Sequence, residues 1–197
     1  MTPQADSVLD LFRSAGAYLE GHFRLTSGLH SPNYLQCALV LRHPKNAEEL
    51  GRRLAGELRN LLSEPPALVV SPALGGLIIG HEVARALDTP FLFTERDPES
   101  RKMVLRRGFS VKPGETAVVV EDVITTGGST RDVVDCMHAA GARVLAAGSI
   151  IDRSGGAADV GVPRVALATL QVQTYPPEDC PLCRQGLPVI KPGSRPA

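Results

Sequence analysis

The chain has 197 residues, of which 43% are hydrophobic and 21% charged, a composition typical of a globular protein of about one domain. Its 21 basic and 21 acidic side chains leave no surplus of positive charge with which to bind nucleic-acid phosphates. No apolar run approaches the ~20 residues that a membrane-spanning helix needs. The N-terminus has no secretion-signal pattern, and the four scattered cysteines are too few for a disulfide scaffold. We therefore expect a cytoplasmic protein that binds neither nucleic acid nor a membrane.

The first 43 residues predict a helix followed by short strands. Val8, Leu11, Phe12 and Ala15 recur at helical spacing, and Gly16 is placed to end the helix. Short segments rich in strand-forming residues follow, separated by turn residues, at 17–19, 22–26 and 33–41.

Residues 44–172 predict an α/β core. A helix at 44–61 has one apolar face, and after it short apolar runs alternate with helices. The predicted strands are 67–71, 90–94, 116–121, 143–151 and 165–172, and the helices between them are 77–87 and about 129–140. This alternation predicts a central, mainly parallel five-stranded sheet flanked by helices. The proline-rich residues from 176 onward are expected to form an extended tail, packed on the surface or against a partner.

The most informative segment is VVVEDVITTGGST at residues 118–130. In it an apolar strand ends in Glu121 and Asp122, and a loop of small residues then leads into a helix. Ligands of parallel α/β sheets bind at the carboxyl ends of the strands, where backbone N–H groups and the helix dipole attract an anion. The adjacent carboxylates would repel each other unless sugar hydroxyls or a hydrated Mg²⁺ satisfied them. The segment therefore predicts a site for a phosphorylated sugar.

This segment closely resembles the phosphoribosyl-pyrophosphate (PRPP) signature of the type I phosphoribosyltransferases, whose fold is of the predicted kind. An ordinary capped helix would explain Ser129 but not the paired acids, and a Walker phosphate loop is excluded because no Gly-Lys-Ser/Thr is present. The resemblance implies that Mg²⁺ accompanies PRPP, with Glu121 and Asp122 as the acids that could hold it. The implied PRPP-binding residues are Glu121, Asp122, Val123, Ile124, Thr125, Thr126, Gly127, Gly128 and Ser129, with Gly75 and Gly76 in a pyrophosphate loop.

Further segments resemble the bacterial orotate phosphoribosyltransferases over nearly the whole chain. They are GAYLEGHFRLTSGLHSPNY at 16–34, VSPALGG at 70–76, IDR at 151–153, DCPLC at 179–183 and KPGSR at 191–195. The resemblance implies a single domain over residues 1–197, with a core at about 44–172 and a small hood from 1–43 and 173–197. It also implies transfer of the phosphoribosyl group from PRPP to orotate, a step of pyrimidine (UMP) biosynthesis.

The same resemblance places orotate against Thr125 and Arg153. Orotate is a planar pyrimidine with a carboxylate, and a guanidinium can pair with that carboxylate through two charge-assisted hydrogen bonds. The alternative for Arg153 is a surface arginine paired with Asp152 or Asp159.

The chain departs from the best-known branch of that family at Thr26 and Gly75, where the branch has lysines, so those phosphate contacts do not carry over. The family's mobile catalytic loop corresponds to residues 95–107, which here contain no histidine. We expect Asp122, Lys102 and Arg96 to be catalytic, with the two cations neutralising the departing pyrophosphate. A solvated hairpin laced with acidic residues is the alternative for this loop. The resemblance further implies a homodimer in which the loop of one subunit reaches the site of the other.

A resident metal site is not predicted from the cysteines and histidines. Cys180 and Cys183 form one Cys-x-x-Cys pair, but a four-ligand zinc site needs a second pair, and Cys37 and Cys136 are not spaced as one. The histidines have no metal-ligand spacing; they are His22, His30, His43, His81 and His138.

Three other functions stay open at this point. The first is a phosphoribosyltransferase for another base, although residues 154–157 lack the aromatic side chain expected of a purine enzyme. The second is a regulator that senses PRPP, although no nucleic-acid-binding module accompanies the predicted core. The third is a zinc-bearing, competence-type protein of the same fold, whose cysteines would be expected before the core rather than after it.

Overall fold

The computed structural model describes residues 3–25 and 27–192. The elements in chain order are α1 (Pro3–Ser14), β1 (Tyr18–Arg24), β2 (His30–Leu35), α2 (Cys37–Leu41), α3 (Pro44–Leu61), β3 (Leu68–Pro72), α4 (Gly76–Leu87), β4 (Phe91–Arg96), β5 (Met103–Leu105), β6 (Thr116–Ile124), α5 (Gly128–Ala139), β7 (Arg143–Asp152), β8 (Arg164–Thr169), a 3-10 turn (Pro177–Asp179) and α6 (Pro181–Arg184). In this part of the chain no helix combines the length and apolar character needed to cross a lipid bilayer.

A mainly parallel sheet forms the centre of the molecule. Within the described residues it has six strands in the order β5-β4-β3-β6-β7-β8, and neighbouring strands are parallel except for β4 and β5. The five predicted strands and the predicted fold class are confirmed. The strand that was not predicted is β5, whose three residues pair with the edge of β4 and are too few to show a periodicity.

Helices cover both faces of the sheet, as a parallel sheet requires. On one face, Phe12 of α1 and Leu54 of α3 belong to a buried cluster that includes Val118 of β6. On the other face, Met137 of α5 belongs to a cluster that includes Val119, the next residue of the same strand. Successive side chains of a strand point to opposite faces, so the continuous apolar run of β6 fills both cores.

The strand order creates a crevice between β3 and β6. In the strand order, β4 is the outer neighbour of β3 and β7 is the outer neighbour of β6. The chain therefore leaves β3 through α4 towards β4 and leaves β6 through α5 in the opposite direction, towards β7. The connections after these two strands therefore diverge and leave an opening at their carboxyl ends, where open α/β sheets bind ligands. Both segments predicted to hold phosphates, at 75–76 and 125–129, lie at this opening.

The strands β1 and β2 form an antiparallel hairpin, separate from the main sheet, that pairs with the C-terminal tail. The backbone N–H of Arg24 donates to the carbonyl of Ile190, and that of His30 donates to the carbonyl of Tyr175, each at 2.8 Å. The tail therefore packs along the surface of the hairpin.

The strand predicted at 33–41 is wrong beyond Leu35, because Cys37–Leu41 forms the short helix α2. Cys37, Val40 and Leu41 are buried at helical spacing, which allows this apolar run to face the core from one side. Thr26 and residues 193–197, which carry one departure from the family and part of the tail resemblance, lie outside the described residues.

Candidate active site

The loop after β6 has the features of an anion-binding site. Thr125, Thr126, Gly128 and Ser129 are exposed, and α5 begins at Gly128. The first backbone N–H groups of a helix have no acceptor within it, and the helix dipole places partial positive charge at the same end. Small exposed side chains, three of them with hydroxyl groups, surround these N–H groups and leave room for a phosphate.

The turn into α5 depends on Gly127. Its φ of +82° lies in the left-handed region, and a Cβ at this position would lie 2.9 Å from Cγ1 of Val160. Its carbonyl accepts the backbone N–H of Arg131 at 2.8 Å, a bond at the start of α5. Glycine at 127 therefore fixes both the direction of the loop and the point at which the helix starts.

The paired acids Glu121 and Asp122 take different environments at the end of β6. Glu121 is 5% exposed and accepts a hydrogen bond from the hydroxyl of Ser129 at 3.1 Å. Burial and the neighbouring charge of Asp122 raise the pKa of Glu121 well above its usual value. Burial also raises the pKa of Asp122, but hydrogen bonds from Glu121 and from the N–H of Val123 act in the opposite direction. Of the two acids, Glu121 is therefore the one that we assign as protonated, and Asp122 is the charged carboxylate.

The loop after β3 closes the other side of the crevice. A Cβ on Gly75 would lie 2.8 Å from Oδ1 of Asp122, and a Cβ on Gly76 would lie 2.9 Å from Cβ of Ser71. Neither position has room for a side chain, so the loop approaches the Asp122 carboxylate with bare backbone. Because α4 starts at Gly76, its first N–H groups also lack acceptors within the helix. The crevice thus has backbone donors on both sides of one carboxylate.

Arg153 lies at the end of β7, next to this crevice. Its backbone N–H donates to the carbonyl of Ile124 at 2.8 Å, which ties the residue to the end of β6. Its Nε is buried without a hydrogen-bond partner, and none of the ion pairs in the described part of the chain includes Arg153. Burial lowers the pKa of this guanidinium, an energetic cost that an anionic ligand would relieve.

The alternative that Arg153 pairs with a neighbouring acid does not hold in this structure. Asp152 pairs instead with Arg164, and it accepts the hydroxyl of Ser154 at 2.6 Å. Asp159 pairs with Arg131 at 2.7 Å. Both candidate partners are therefore occupied, and the guanidinium of Arg153 is left for another anion.

Tyr34 and Cys37 complete the Arg153 side of the crevice, and sequence reasoning assigned neither of them a role. Burial raises the pKa of Tyr34, whereas the positive charge of Arg153 lowers it. Burial and the charge of Asp122 raise the pKa of Cys37 well above its usual value, so the thiol stays neutral. The sequence signal that could have pointed to Tyr34 is its position at the end of the segment 16–34, which resembles the orotate phosphoribosyltransferases.

The predicted mobile loop, residues 95–107, contains the end of β4, the turn at 97–102 and the whole of β5, and it forms a β-hairpin. Arg96 pairs with Asp132 of α5 at 2.8 Å, and Arg107 pairs with Glu95 at 2.8 Å. Lys102 is exposed and has no ion pair among the described residues. The alternative of a hairpin laced with acidic residues therefore fits the backbone, Arg96 and Arg107 in this structure, whereas the exposed Lys102 is left to meet an anion.

Comparisons with known proteins identify the class of protein to which the chain belongs. Residues 40–171 match the family model described as phosphoribosyl transferase domain. The chain is similar in structure to orotate phosphoribosyltransferase from Aeropyrum pernix, with a TM-score of 0.65 and 26% identity over 83% of this chain and 94% of that one. The orotate phosphoribosyltransferase of Mycobacterium tuberculosis in complex with inorganic phosphate shares the fold, with a TM-score of 0.64 and 22% identity over 86% and 97% of the two chains. The fold is therefore that of the phosphoribosyltransferases, and the chain contains their domain.

Sequence similarity to curated relatives identifies the particular family within this class of protein. The chain is 55% identical to the orotate phosphoribosyltransferase of Heliobacterium modesticaldum over 96% of this chain and 98% of that protein. It is 50% identical to the orotate phosphoribosyltransferase of Thermotoga petrophila over 95% and 98% of the two chains. The chain therefore belongs to the orotate phosphoribosyltransferase family, a family of pentosyltransferase enzymes, as its motifs predicted.

Proposed function

We propose that this protein transfers the phosphoribosyl group of PRPP to orotate, forming orotidine 5′-phosphate and pyrophosphate for UMP synthesis in the cytoplasm. The observation that carries the proposal is the half-buried guanidinium of Arg153, whose buried Nε has no hydrogen-bond partner and lies beside the anion-binding loop after β6. A planar carboxylate supplies two acceptors in the geometry that a guanidinium prefers. Orotate therefore meets Arg153 at the same edge of the sheet at which PRPP meets the loop.

PRPP extends across the crevice between the two loops. Its 5′-phosphate accepts hydrogen bonds from the loop and first turn of α5, residues 125–129, and its pyrophosphate lies against Gly75 and Gly76. The ribose hydroxyls then lie between these sites, where they donate hydrogen bonds to the Asp122 carboxylate. The close approach of the Gly75 backbone to this carboxylate supports the assignment, because one residue then faces both the ribose and the pyrophosphate.

The residues of the crevice also fit a magnesium ion bound together with PRPP. Asp122 presents carboxylate oxygens beside the proposed pyrophosphate position, and Mg²⁺ prefers one or two carboxylates combined with substrate phosphates and water. When bound, Mg²⁺ would neutralise charge on the pyrophosphate. Glu121, protonated and bonded to Ser129, positions the loop and Asp122 in this proposal.

In the transfer, the bond between the anomeric carbon and the pyrophosphate oxygen breaks, and its electron pair leaves with pyrophosphate. A ring nitrogen of orotate bonds to that carbon and releases its proton. Positive charge develops on the ribose ring while negative charge develops on the pyrophosphate, so the protein accelerates the step by stabilising the departing anion and orienting a flat nucleophile. Thr125 and Arg153 orient orotate, and the backbone donors at Gly75 and Gly76 stabilise pyrophosphate. Lys102 supplies a cation to pyrophosphate when the hairpin closes over the site and excludes water, and Arg96 supplies a second one after it leaves its ion pair with Asp132.

The active form in this proposal is a homodimer in which residues 95–107 of one subunit complete the site of the other. Two features support it. The side chains of Leu74 and Ile78 are 79% and 47% exposed beside the pyrophosphate loop, where a second subunit would cover them. Lys102 is exposed on the hairpin without an ion pair in the described part of the chain, so it can reach an anion on a neighbouring subunit.

The test is a spectrophotometric assay of the purified protein with PRPP, Mg²⁺ and orotate. We expect the ultraviolet absorbance of orotate to fall, with no turnover when uracil or a purine base replaces it. Turnover with another base and none with orotate would contradict the substrate assignment but keep the reaction. Binding of PRPP without turnover of any base would instead support a PRPP sensor.

Sedimentation at micromolar concentration tests the proposed dimer. A monomer with full activity would contradict a site that is completed by the loop of a second subunit.

A further inference from the structure

The hairpin and the tail bring together four side chains that are far apart in the sequence. His22 lies in β1 and His30 in β2, whereas Cys180 precedes α6 and Cys183 lies within it. One potential ligand atom from each, two imidazole nitrogens and two sulfurs, lies within 4.8 Å of the other three. The sequence spacing supplies only the Cys-x-x-Cys pair, and the fold supplies a second pair of ligands from the hairpin.

Three nitrogen–sulfur distances within this cluster are close to the edges of a tetrahedron around a zinc ion. Zn–N bonds of about 2.0 Å and Zn–S bonds of about 2.3 Å place tetrahedral nitrogen and sulfur ligands about 3.5 Å apart. Nε2 of His22 lies 3.5 Å from Sγ of Cys180 and 3.7 Å from Sγ of Cys183, and Nδ1 of His30 lies 3.3 Å from the latter. The two imidazole nitrogens are 2.8 Å apart and need to separate by about 0.5 Å to reach the tetrahedral edge of about 3.3 Å.

A second contact orients His22 as a metal ligand. Its Nδ1 lies 2.8 Å from the backbone carbonyl of Leu187. Because a carbonyl can only accept, Nδ1 carries the proton, and the neutral ring then presents the lone pair of Nε2 to the cluster. Metal-bound histidines commonly donate their other N–H in this way. His30 is held by its backbone, which exchanges two hydrogen bonds with Tyr175 at 2.8 and 2.9 Å.

Three of the four cluster residues lie in the interior of a small unit that has little apolar material of its own, and Cys183 lies at its surface. Cys180, His22 and His30 are buried, whereas Leu187, Val189 and Ile190 of the tail are 43%, 44% and 55% exposed. Small units with so little apolar burial usually need a disulfide or a metal to become stable. Since 158 residues separate Cys180 from His22, a metal here would join two distant parts of the chain.

We propose that His22, His30, Cys180 and Cys183 bind one Zn²⁺ as a tetrahedral structural site that fastens the C-terminal tail to the β1–β2 hairpin. Two thiolates with two imidazoles form a ligand set that selects zinc, and four protein ligands leave no open position for chemistry. Binding deprotonates both thiols and releases two protons. The site is separate from the proposed transfer reaction and does not depend on it.

The first experiment measures metal in the untagged protein, purified under reducing conditions without chelators from cells supplied with zinc. We expect about one zinc per chain by plasma mass spectrometry, falling below about 0.1 in the Cys180→Ser/Cys183→Ser variant. The matched controls are Cys136→Ser and His81→Ala, which remove a cysteine and a histidine outside the cluster and are expected to keep the zinc.

The second experiment reads the geometry and the structural role. Cobalt added to the reduced, zinc-free protein is expected to give the visible bands of tetrahedral Co²⁺ and a thiolate charge-transfer band, both absent from the double variant. Removal of zinc is expected to speed tryptic cleavage after Arg184 by at least about tenfold, because the tail detaches locally.

The proposal is overturned if the wild-type protein contains less than about 0.1 zinc per chain and gives no cobalt spectrum after reduction. A loss of two mass units that thiol reductants reverse would identify a Cys180–Cys183 disulfide as the native state, which also overturns it. Because metal content is measured without the transfer assay, zinc in a protein that does not turn over orotate would contradict the proposed function alone.

Discussion

Replacing Arg153 separates binding of orotate from stability of the fold. Its guanidinium has no ion pair among the described residues, so Arg153→Met leaves no carboxylate without its partner. Each charge-assisted hydrogen bond to an anion contributes about 1.5–3 kcal/mol, so losing two costs about 3–6 kcal/mol. At 1.4 kcal/mol for each factor of ten, kcat/KM for orotate is expected to fall by about 10²–10⁴. Arg153→Lys, which keeps one bond and the charge, is expected to lose about 10–100-fold.

The assay varies orotate at saturating PRPP and then PRPP at saturating orotate. We expect most of the loss as a higher KM for orotate, with the KM for PRPP within about threefold of wild type. The melting temperature is expected to stay within about 4 °C, because no buried group loses a partner.

Arg164→Met is the matched control, at an arginine of the neighbouring strand β8. Arg164 pairs with Asp152, whose side chain is 1% exposed, so the Arg164→Met change removes the counter-charge of a buried carboxylate and costs about 3–5 kcal/mol. The expected fall in melting temperature is about 6–20 °C. The reasoning about Arg153 is refuted if Arg153→Met keeps the wild-type KM for orotate, or if it destabilises the fold as much as Arg164→Met.

Three further predictions follow from the crevice. Gly75→Ala places a Cβ 2.8 Å from the Asp122 carboxylate and is expected to lower kcat/KM for PRPP at least about tenfold, measured by initial rates. Lys102→Ala is expected to lower kcat at least about tenfold with little effect on melting temperature, because the side chain is exposed. Glu121→Gln is expected to raise the free energy of unfolding relative to wild type as pH rises above about 4.3, by about 1.4 kcal/mol per pH unit, measured by urea denaturation.

The sign of the Glu121 effect follows from its raised pKa in the folded state. The protonated side chain contributes stability that is fully present below the unfolded-state pKa and is lost as pH rises through the folded-state pKa. Glutamine does not titrate, so the variant escapes this loss up to the folded-state pKa. Parallel pH profiles of the two proteins would contradict the assigned proton.

The glycine and lysine variants have controls in the same chain. Gly56→Ala adds a Cβ that meets nothing within 4 Å in α3, and it is expected to leave activity unchanged and add about 0.5–1 kcal/mol of stability. Equal losses in Gly56→Ala and Gly75→Ala would show that the contact with Asp122 is irrelevant. Lys112→Ala removes an exposed lysine outside the hairpin; if it matches Lys102→Ala, the loop has no special role.

The parts of the protein that could be predicted from the sequence are those specified by neighbouring residues. Residues 118–130 combine a buried strand, paired acids and a glycine turn within thirteen positions, so strand, loop and helix are all encoded locally. The five parallel strands were predicted for the same reason. The strand β5 was missed because its existence depends on pairing with β4 rather than on its own three residues.

The tertiary structure alone decided which charges are paired and which ligand atoms meet. Asp152 adjoins Arg153 in sequence, yet it pairs with Arg164, and this choice is what leaves Arg153 for an anion. The hairpin and the tail bring His22 to Cys180 across 158 residues, a proximity that no spacing rule can reveal. The physical reason is common to both: local sequence determines which backbone shape a segment takes, whereas ion pairs and metal clusters depend on where the packed elements finally place their side chains.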